Sequence, residues 1–559
     1  MNLSWIREYK PQWLAEDLRI AIFATLILIP QALAYAALAG LPPYFGLYAS
    51  MLPLVVYALF GSSPVLSVGP VAIISLMTAS ALGPLALDSS QYIQAAALLT
   101  LISGVILLLF AALRLGALAN LLSQPVISGF ISGAAVLIII SQLQALLGVQ
   151  ATGNNALMML YEIMNKLSLL QPLTAGLGLG SLLILLLGKL YVADLLRHLG
   201  MQAKTALLIS RSLPMLLVVI SGALVFGFQW QNTIAVIGKV PQGLPTISFN
   251  GDIAKIAPQL LLPALFIALI GFVQSIAIAR VAATKQRQTV NPNKELMGLG
   301  AANLSSALVG GIPVFGSFAR TAITMEGGSN SPVANFITAI IVAFILLWGS
   351  SLLTYLPISV LAATIIMAVF NLIDTATLRK TWQHNRSDAL ALIVTFIAVL
   401  VADIEIGIIT GMGLSLFSVI WRASYPYIAI LGRIPGTTHY RNVLHYNTEN
   451  QSDTLLLRID ENLFFGNAQV IEQRIQQEWR EKQPLKHLVL VMSSVSHIDS
   501  TALDMLEKLN ADISEQGGFL HLAELKNIIR TPLKDSKLMH DLSGKIFLTT
   551  ADADEYLHS

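Results

Sequence analysis

The stretch "PVFGSFARTAI", residues 313–323, decides how this chain must be read. An arginine, Arg320, stands among small and apolar residues, with long apolar runs on either side. If those runs cross a bilayer, the guanidinium lies near or inside it. An unpaired charge there costs about 2.5–3.5 kcal/mol on insertion scales. Something in the fold or its ligand has to offset that cost.

Composition supports the premise. The chain has 559 residues, 55% of them hydrophobic and 11% charged, with a mean hydropathy of +0.71. Soluble domains carry about 25% charged residues, so the class is a polytopic membrane protein. The net charge of +2 provides no global basic surface for nucleic acid. Cysteine is absent, which excludes disulfides, thiolate metal sites and cysteine nucleophiles. The opening "MNLSWIREYKPQWLAED" has no short apolar core followed by a small-residue cleavage site, so no cleaved signal peptide is expected. No P-loop motif occurs, which argues against ATP-driven transport, and no enzyme activity, cofactor or metal is expected.

Apolar runs of spanning length recur up to about residue 425, among them 20–40, 92–113, 216–228 and 256–279. Residues 17–424 have room for about fourteen crossings if some are short or broken. Two segments stand apart. "SVGPVAIISLMTASALG" (67–83) is short and opens on Gly69-Pro70; "FGSFARTAITMEGG" (315–328) follows Pro313, holds Arg320 and ends in a glycine pair. Each lies some fifty to sixty residues beyond the start of a long apolar helix, near 17 and near 257. Short Gly/Pro-interrupted segments at corresponding places in two halves point to an inverted-repeat transporter with its site at the midplane. As isolated features, both would read as turns between helices.

Charge placement fits this count. With both termini inside, the inside loops hold Arg114; Lys189, Arg197, Lys204 and Arg211; Arg280, Lys285, Arg287 and Lys294; and Arg379, Lys380 and Arg386. The outside loops hold Lys166, Lys239 and Lys255. This is the positive-inside bias, and it puts the C-terminal region in the cytosol. That region alternates strand signals (453–460, 487–494, 519–525, 545–550) with helical spacing (468–482, 500–516). It reads as a compact α/β domain. The expected division is 1–435 for the membrane domain and 436–559 for the α/β domain.

Four motifs then carry a resemblance. The run 30–77 contains Pro30-Gln31, "AGLPP", "GLYAS", "FGSS" and Gly69-Pro70; "KELMGLGAANL" spans 294–304; "GSFARTA" spans 316–322; and "VSHIDSTALDML" spans 495–506. In this order they resemble the sulfate permease (SulP) family of anion transporters with a C-terminal STAS domain. The resemblance implies a seven-plus-seven inverted repeat with core and gate domains, a cytosolic STAS domain and a homodimer in the cell membrane. It places a small anion between the facing N-termini of the third and tenth helices, lined by the first and eighth.

The bottom-up reading agrees with that placement. A helix N-terminus carries about half a positive charge and unpaired N–H donors. Two such ends plus Arg320 make a positive pocket, so the arginine's expected partner is the anion. The alternatives are a pair with Glu326 or a side chain that reaches the interface. The other expected contacts are Gln31 and Tyr35 on the first helix, Ser67, Gly69, Val71 and Ala72 on the third segment, Gln274 on the eighth helix, and Phe318, Ala319 and Thr321 beside Arg320. Ala319 stands where the family has serine, which removes one hydroxyl.

Gln274 stands where many relatives have glutamate. An amide cannot ionise, which weighs against proton or sodium coupling there and leaves Glu326 as the other candidate acid. Asp499-Ser500-Thr501 resembles a loop phosphorylated in soluble STAS proteins; an N-capping role is the competing reading. Sulfate is the expected substrate. Bicarbonate, a dicarboxylate, or anion sensing through the STAS domain are alternatives on the same architecture.

Overall fold

The computed structural model describes the chain apart from residues 1–8, 121–122, 151–154, 242, 244–254, 288, 310, 328, 330, 403, 483 and 559. It divides into two compact units, one ending at Ser415 and one beginning at Leu416.

The first unit is helical. Its principal elements are α1 (Leu14–Leu38), α2 (Leu52–Phe60), β1 (Val68–Gly69), α3 (Ala72–Leu82), α4 (Ser89–Ala112), α5 (Gln124–Leu147), α6 (Pro172–Leu187) and α7 (Ala203–Gly227). They continue with α8 (Ala257–Gln286), α9 (Pro292–Val309), β2 (Phe315–Gly316), α10 (Phe318–Gly327), α11 (Val333–Trp348), α12 (Ile358–Phe370), α13 (Arg386–Val401) and α14 (Ile404–Ser424), whose residues from Leu416 on count with the second unit. Eight helices among the described residues are long and apolar enough to cross a membrane. The others are short or broken, which is how the chain accommodates the larger number of crossings expected from its sequence.

The order helix, helix, two-residue strand, short helix occurs once in each half. The strands pair antiparallel, Val68 opposite Gly316 and Gly69 opposite Phe315. Each strand runs directly into its short helix, so α3 and α10 lead away from the pair in opposite directions with their N-termini toward each other. With 11 and 10 residues, each spans about 15 Å at 1.5 Å per residue, half of a roughly 30 Å hydrocarbon core.

Local chemistry sets the helix starts. Asp88 and Gln91 form a capping box at the head of α4, with the Gln91 N–H donating to Asp88 Oδ1 at 2.8 Å. Pro30 interrupts α1 from within and removes a backbone donor just before Gln31. α9 packs against α2 and α4, while α5 packs against α12 and α13. The α4–α9 approach is close because glycines meet there: a Cβ on Gly300 would come 2.8 Å from Leu108 Cγ and 3.1 Å from the Gly104 carbonyl oxygen.

The second unit is a mixed α/β domain. Its elements are β3 (Ile428–Arg433), β4 (Tyr440–Asn442), β5 (Thr454–Ile459), α15 (Ala468–Glu481), β6 (His487–Val491), α16 (Ser500–Glu515), β7 (Phe519–Ala523), β8 (Ile546–Phe547) and α17 (Thr550–His558). The sheet order is β4-β3-β5-β6-β7-β8, parallel from β5 to β8 and antiparallel at β3. The α/β pattern expected from 453 onward is present. β3 precedes residue 435 in the chain, yet it is an inner strand of this sheet. Its "IAIL" continues the apolar run of α14, so composition does not mark the change. Asp499 caps α16 by accepting from the Ala502 N–H at 2.9 Å, and its second oxygen accepts from Phe465 N–H at 2.8 Å.

Candidate functional site

The site is built where β1 and β2 meet. β2 is cradled by α8: a Cβ on Gly271 would come 2.3 Å from the Phe315 ring, so only glycine admits it. One turn on, Ser275 Oγ accepts from Gly316 N–H at 2.8 Å and donates to the Gly271 carbonyl at 2.7 Å. The crossing chains are tied directly. Ser317 N–H donates to the Ser67 carbonyl at 3.0 Å, and Ser67 N–H donates to Thr321 Oγ1 at 3.1 Å.

Arg320, in the first turn of α10, is fully buried and is among the largest such side chains in the molecule. Its Nη1 donates to the Pro70 carbonyl at 3.2 Å, across the strand pair. Its Nε and Nη2 are buried without a hydrogen-bond partner. No ion pair to Arg320 occurs among the described residues. Glu326 sits six residues further along α10, about 240° around the helix and 9 Å along its axis. Its side chain lies outside the described residues.

The neighbours are chemically coherent. α3 begins at Ala72 with no side-chain cap from Val71, and Val71, Ala72 and Ile73 are all buried. Its first-turn N–H groups therefore have no intrahelical partner and no capping group. Gln31 Oε1 and Gln274 Oε1 are buried without partners, and Gln274 Nε2 makes only a long 3.5 Å contact to the Gly316 carbonyl. Tyr35 is buried within electrostatic reach of Arg320. Gly69 lies against the guanidinium: a Cβ there would come 3.0 Å from Arg320 Nη2 and 3.7 Å from Ser50 Oγ. Gln274 also forms the polar edge of an otherwise apolar cavity lined by Val126, Ile127, Phe130, Ile131, Ile270, Val273 and Ile408.

The expected residues thus divide. Gln31, Tyr35, Gly69, Val71, Ala72, Gln274 and Arg320 carry the features just described. Ser67 and Thr321 are buried, and the Ser67 backbone and the Thr321 hydroxyl oxygen bond across the strand crossing. Phe318 and Ala319 are exposed at the start of α10. Two further residues are not apparent from the sequence. Ser50 Oγ lies beside Gly69, and Ser75 Oγ is buried without a partner one turn into α3. Both are serines in apolar runs, where a hydroxyl reads as a helix-packing group.

Comparison with known proteins follows from this arrangement. The family model described as the sulfate permease family matches residues 14–395, and the STAS domain model matches residues 445–553. The chain belongs to the sulfate permease family. It is a multi-pass membrane protein with a STAS domain, an anion transporter and not an enzyme. It is 34% identical to "Sulfate transporter 4.1, chloroplastic" of Arabidopsis thaliana, over 97% of this chain and 79% of that one. It is 32% identical to a probable sulfate transporter of Mycobacterium tuberculosis, over 98% and 96% of the two chains. Among solved structures, SLC26A9 shares the fold with a TM-score of 0.88 at 22% identity, covering 100% of this chain and 93% of that one. The transmembrane domain of a cyanobacterial bicarbonate transporter, BicA, matches with a TM-score of 0.61 at 22% identity, over 73% of this chain and 98% of that one.

Proposed function

We propose that the chain moves sulfate, by alternating access, through a site between the N-termini of α3 and α10. One observation carries this: a fully buried arginine leaves two N–H donors unpaired at the point where two helix N-termini face each other. A buried unpaired donor is costly, and a charged one more so. An oxyanion supplies the acceptors. The planar guanidinium donates two N–H bonds from Nε and Nη2, and the first-turn amides of α3 donate from the opposite side. The amides of Gln31 and Gln274 complete a neutral lining, and each donates to the anion once it is turned so that Nε2 rather than the unpartnered Oε1 faces the site. Gln274 holds no proton, so transport is exchange or uncoupled at this position.

The same reading takes the two halves as an inverted repeat and the protein as a homodimer of the cell membrane, with both termini and the STAS domain in the cytoplasm. The working boundary lies between Ser424 and β3. Uptake of labelled sulfate into proteoliposomes, with a panel of anions and imposed pH and sodium gradients, tests it. Saturable sulfate uptake abolished in Arg320→Ala supports the assignment. Uptake of bicarbonate or a dicarboxylate in its place would reassign the substrate. Sulfate uptake that survives in Arg320→Ala would overturn the site.

A further inference from the structure

The motif "KELMGLGAANL" (294–304) supplies none of the groups that face Arg320, yet two of its polar side chains, Glu295 and Asn303, are fully buried. Each holds the chain that leads into one of the two strands.

Glu295, in the first turn of α9, accepts four hydrogen bonds. Its Oε1 takes Ser62 N–H at 3.1 Å, Ser63 N–H at 2.9 Å and the Ser62 hydroxyl; its Oε2 takes the Tyr57 hydroxyl at 2.7 Å. These donors lie near the end of α2 and in the segment 61–67, which runs into β1. Asn303, two turns along α9, grips the approach to the other strand. Its Nδ2 donates to the Val314 carbonyl at 2.9 Å, and its Oδ1 accepts from Val314 N–H at 3.0 Å. Val314 immediately precedes β2. Ser306, on the same helix, donates to the Ile312 carbonyl.

Glycine fits the same task. A Cβ on Gly298 would come 2.6 Å from Gly61 Cα, so the α2 exit lies directly on the helix backbone. Neither lead-in segment is regular secondary structure beyond its two-residue strand, so its backbone polar groups need other partners. Segment 61–67 obtains them repeatedly from side chains. Glu295 serves residues 62 and 63, Thr324 the Val65 carbonyl (2.7 Å), Asn335 the Leu66 carbonyl (3.1 Å) and Thr321 the Ser67 N–H (3.1 Å).

We infer that α9 is a clamp that sets the spacing of the two strands, and that Glu295 and Asn303 are positioning residues for anion binding. The inference rests on the site proposed above. A single rigid helix gripping both lead-in segments fixes β1 relative to β2, and hence the N-terminus of α3 relative to Arg320. Displacement of a binding group by about 1 Å is enough to lose a large share of a ligand's bonds.

The test is sulfate binding by calorimetry on purified, folded full-length protein, with thermal stability measured in parallel. Asn303→Ala removes both bonds to Val314. Glu295→Gln retains shape and one acceptor but loses the second carboxylate oxygen, and serves if Asn303→Ala does not fold. Arg320→Ala reports on the site itself, and Leu361→Ala, a truncation of a buried α12 residue, controls for general destabilisation. Each clamp variant is expected to raise Kd by about five- to thirty-fold, while Leu361→Ala lowers the melting temperature with Kd unchanged. Clamp variants that melt earlier but bind sulfate as the wild type does, while Arg320→Ala does not bind, overturn the clamp and leave the site standing. Undiminished binding by Arg320→Ala overturns the site itself.

Discussion

Replacing Arg320 should separate stability from binding in opposite directions. The guanidinium is fully buried, with one hydrogen bond to Pro70 and two donors without partners. Arg320→Met keeps most of the volume and removes the charge. Exchanging a buried ionic group for an apolar one of similar volume is neutral or stabilising by about 1–4 kcal/mol. Against this stands the Pro70 carbonyl, which loses its donor at about 1 kcal/mol. The anion-free variant should therefore melt at or above the wild-type temperature. Binding should move the other way. Two charge-assisted bonds at about 1.5–3 kcal/mol each make about 3–6 kcal/mol, or roughly 10²–10⁴ in Kd. Thermal melting of detergent-purified protein, with and without millimolar sulfate, reads both effects. Wild type should gain stability with sulfate; Arg320→Met should not, and Arg320→Lys should gain in part, because an ammonium lacks the planar fork. An Arg320→Met variant that is less stable without sulfate and still stabilised by it would refute the reasoning.

Further outcomes follow from the same geometry. Gly69→Ala puts a methyl 3.0 Å from Arg320 Nη2, so the guanidinium must shift; sulfate Kd should rise by about ten-fold, about 1.4 kcal/mol, in folded protein. Gln274→Glu should add a pH dependence to sulfate affinity, weaker when the carboxylate ionises and restored when it is protonated, as calorimetry at several pH values would show. A chain ending at Ser424 should keep sulfate binding, whereas one ending at 435 carries β3 without its partner strands and should aggregate, measured by size exclusion. In the second unit, burial, then neighbouring His487 and Lys545, hold His521 down at about 4, and burial also pushes His487 down. Both bind protons more readily unfolded, so this contribution is complete above about pH 6.5 and is lost as pH falls toward 4. Urea unfolding of residues 425–559 should show that loss, and His521→Asn should flatten it.

Sequence alone determined the class and the two short Gly/Pro-interrupted segments, and it singled out Arg320 as a charge that needs a partner. Each rests on a local rule: the length of apolar runs, the backbone habits of glycine and proline, and the cost of a charge in hydrocarbon. Gly69 was legible because it opens one of those segments, Gln31 because it follows Pro30 in a motif that resembles the family's, and Gln274 because it stands where many relatives have glutamate. Tertiary structure decided what local rules cannot. Thr321 and Ser67 read locally only as anion contacts; the bond from the Ser67 backbone N–H to Thr321 Oγ1 joins positions more than 250 apart, which no local pattern foretells. Glu295 and Asn303 read only as polar points in a helix, because their acceptors and donors come from segments folded back from elsewhere in the chain. β3 was hidden for a different reason: an apolar strand that follows an apolar helix differs from it in hydrogen-bond partners, not in composition, and those partners exist only once the sheet has formed.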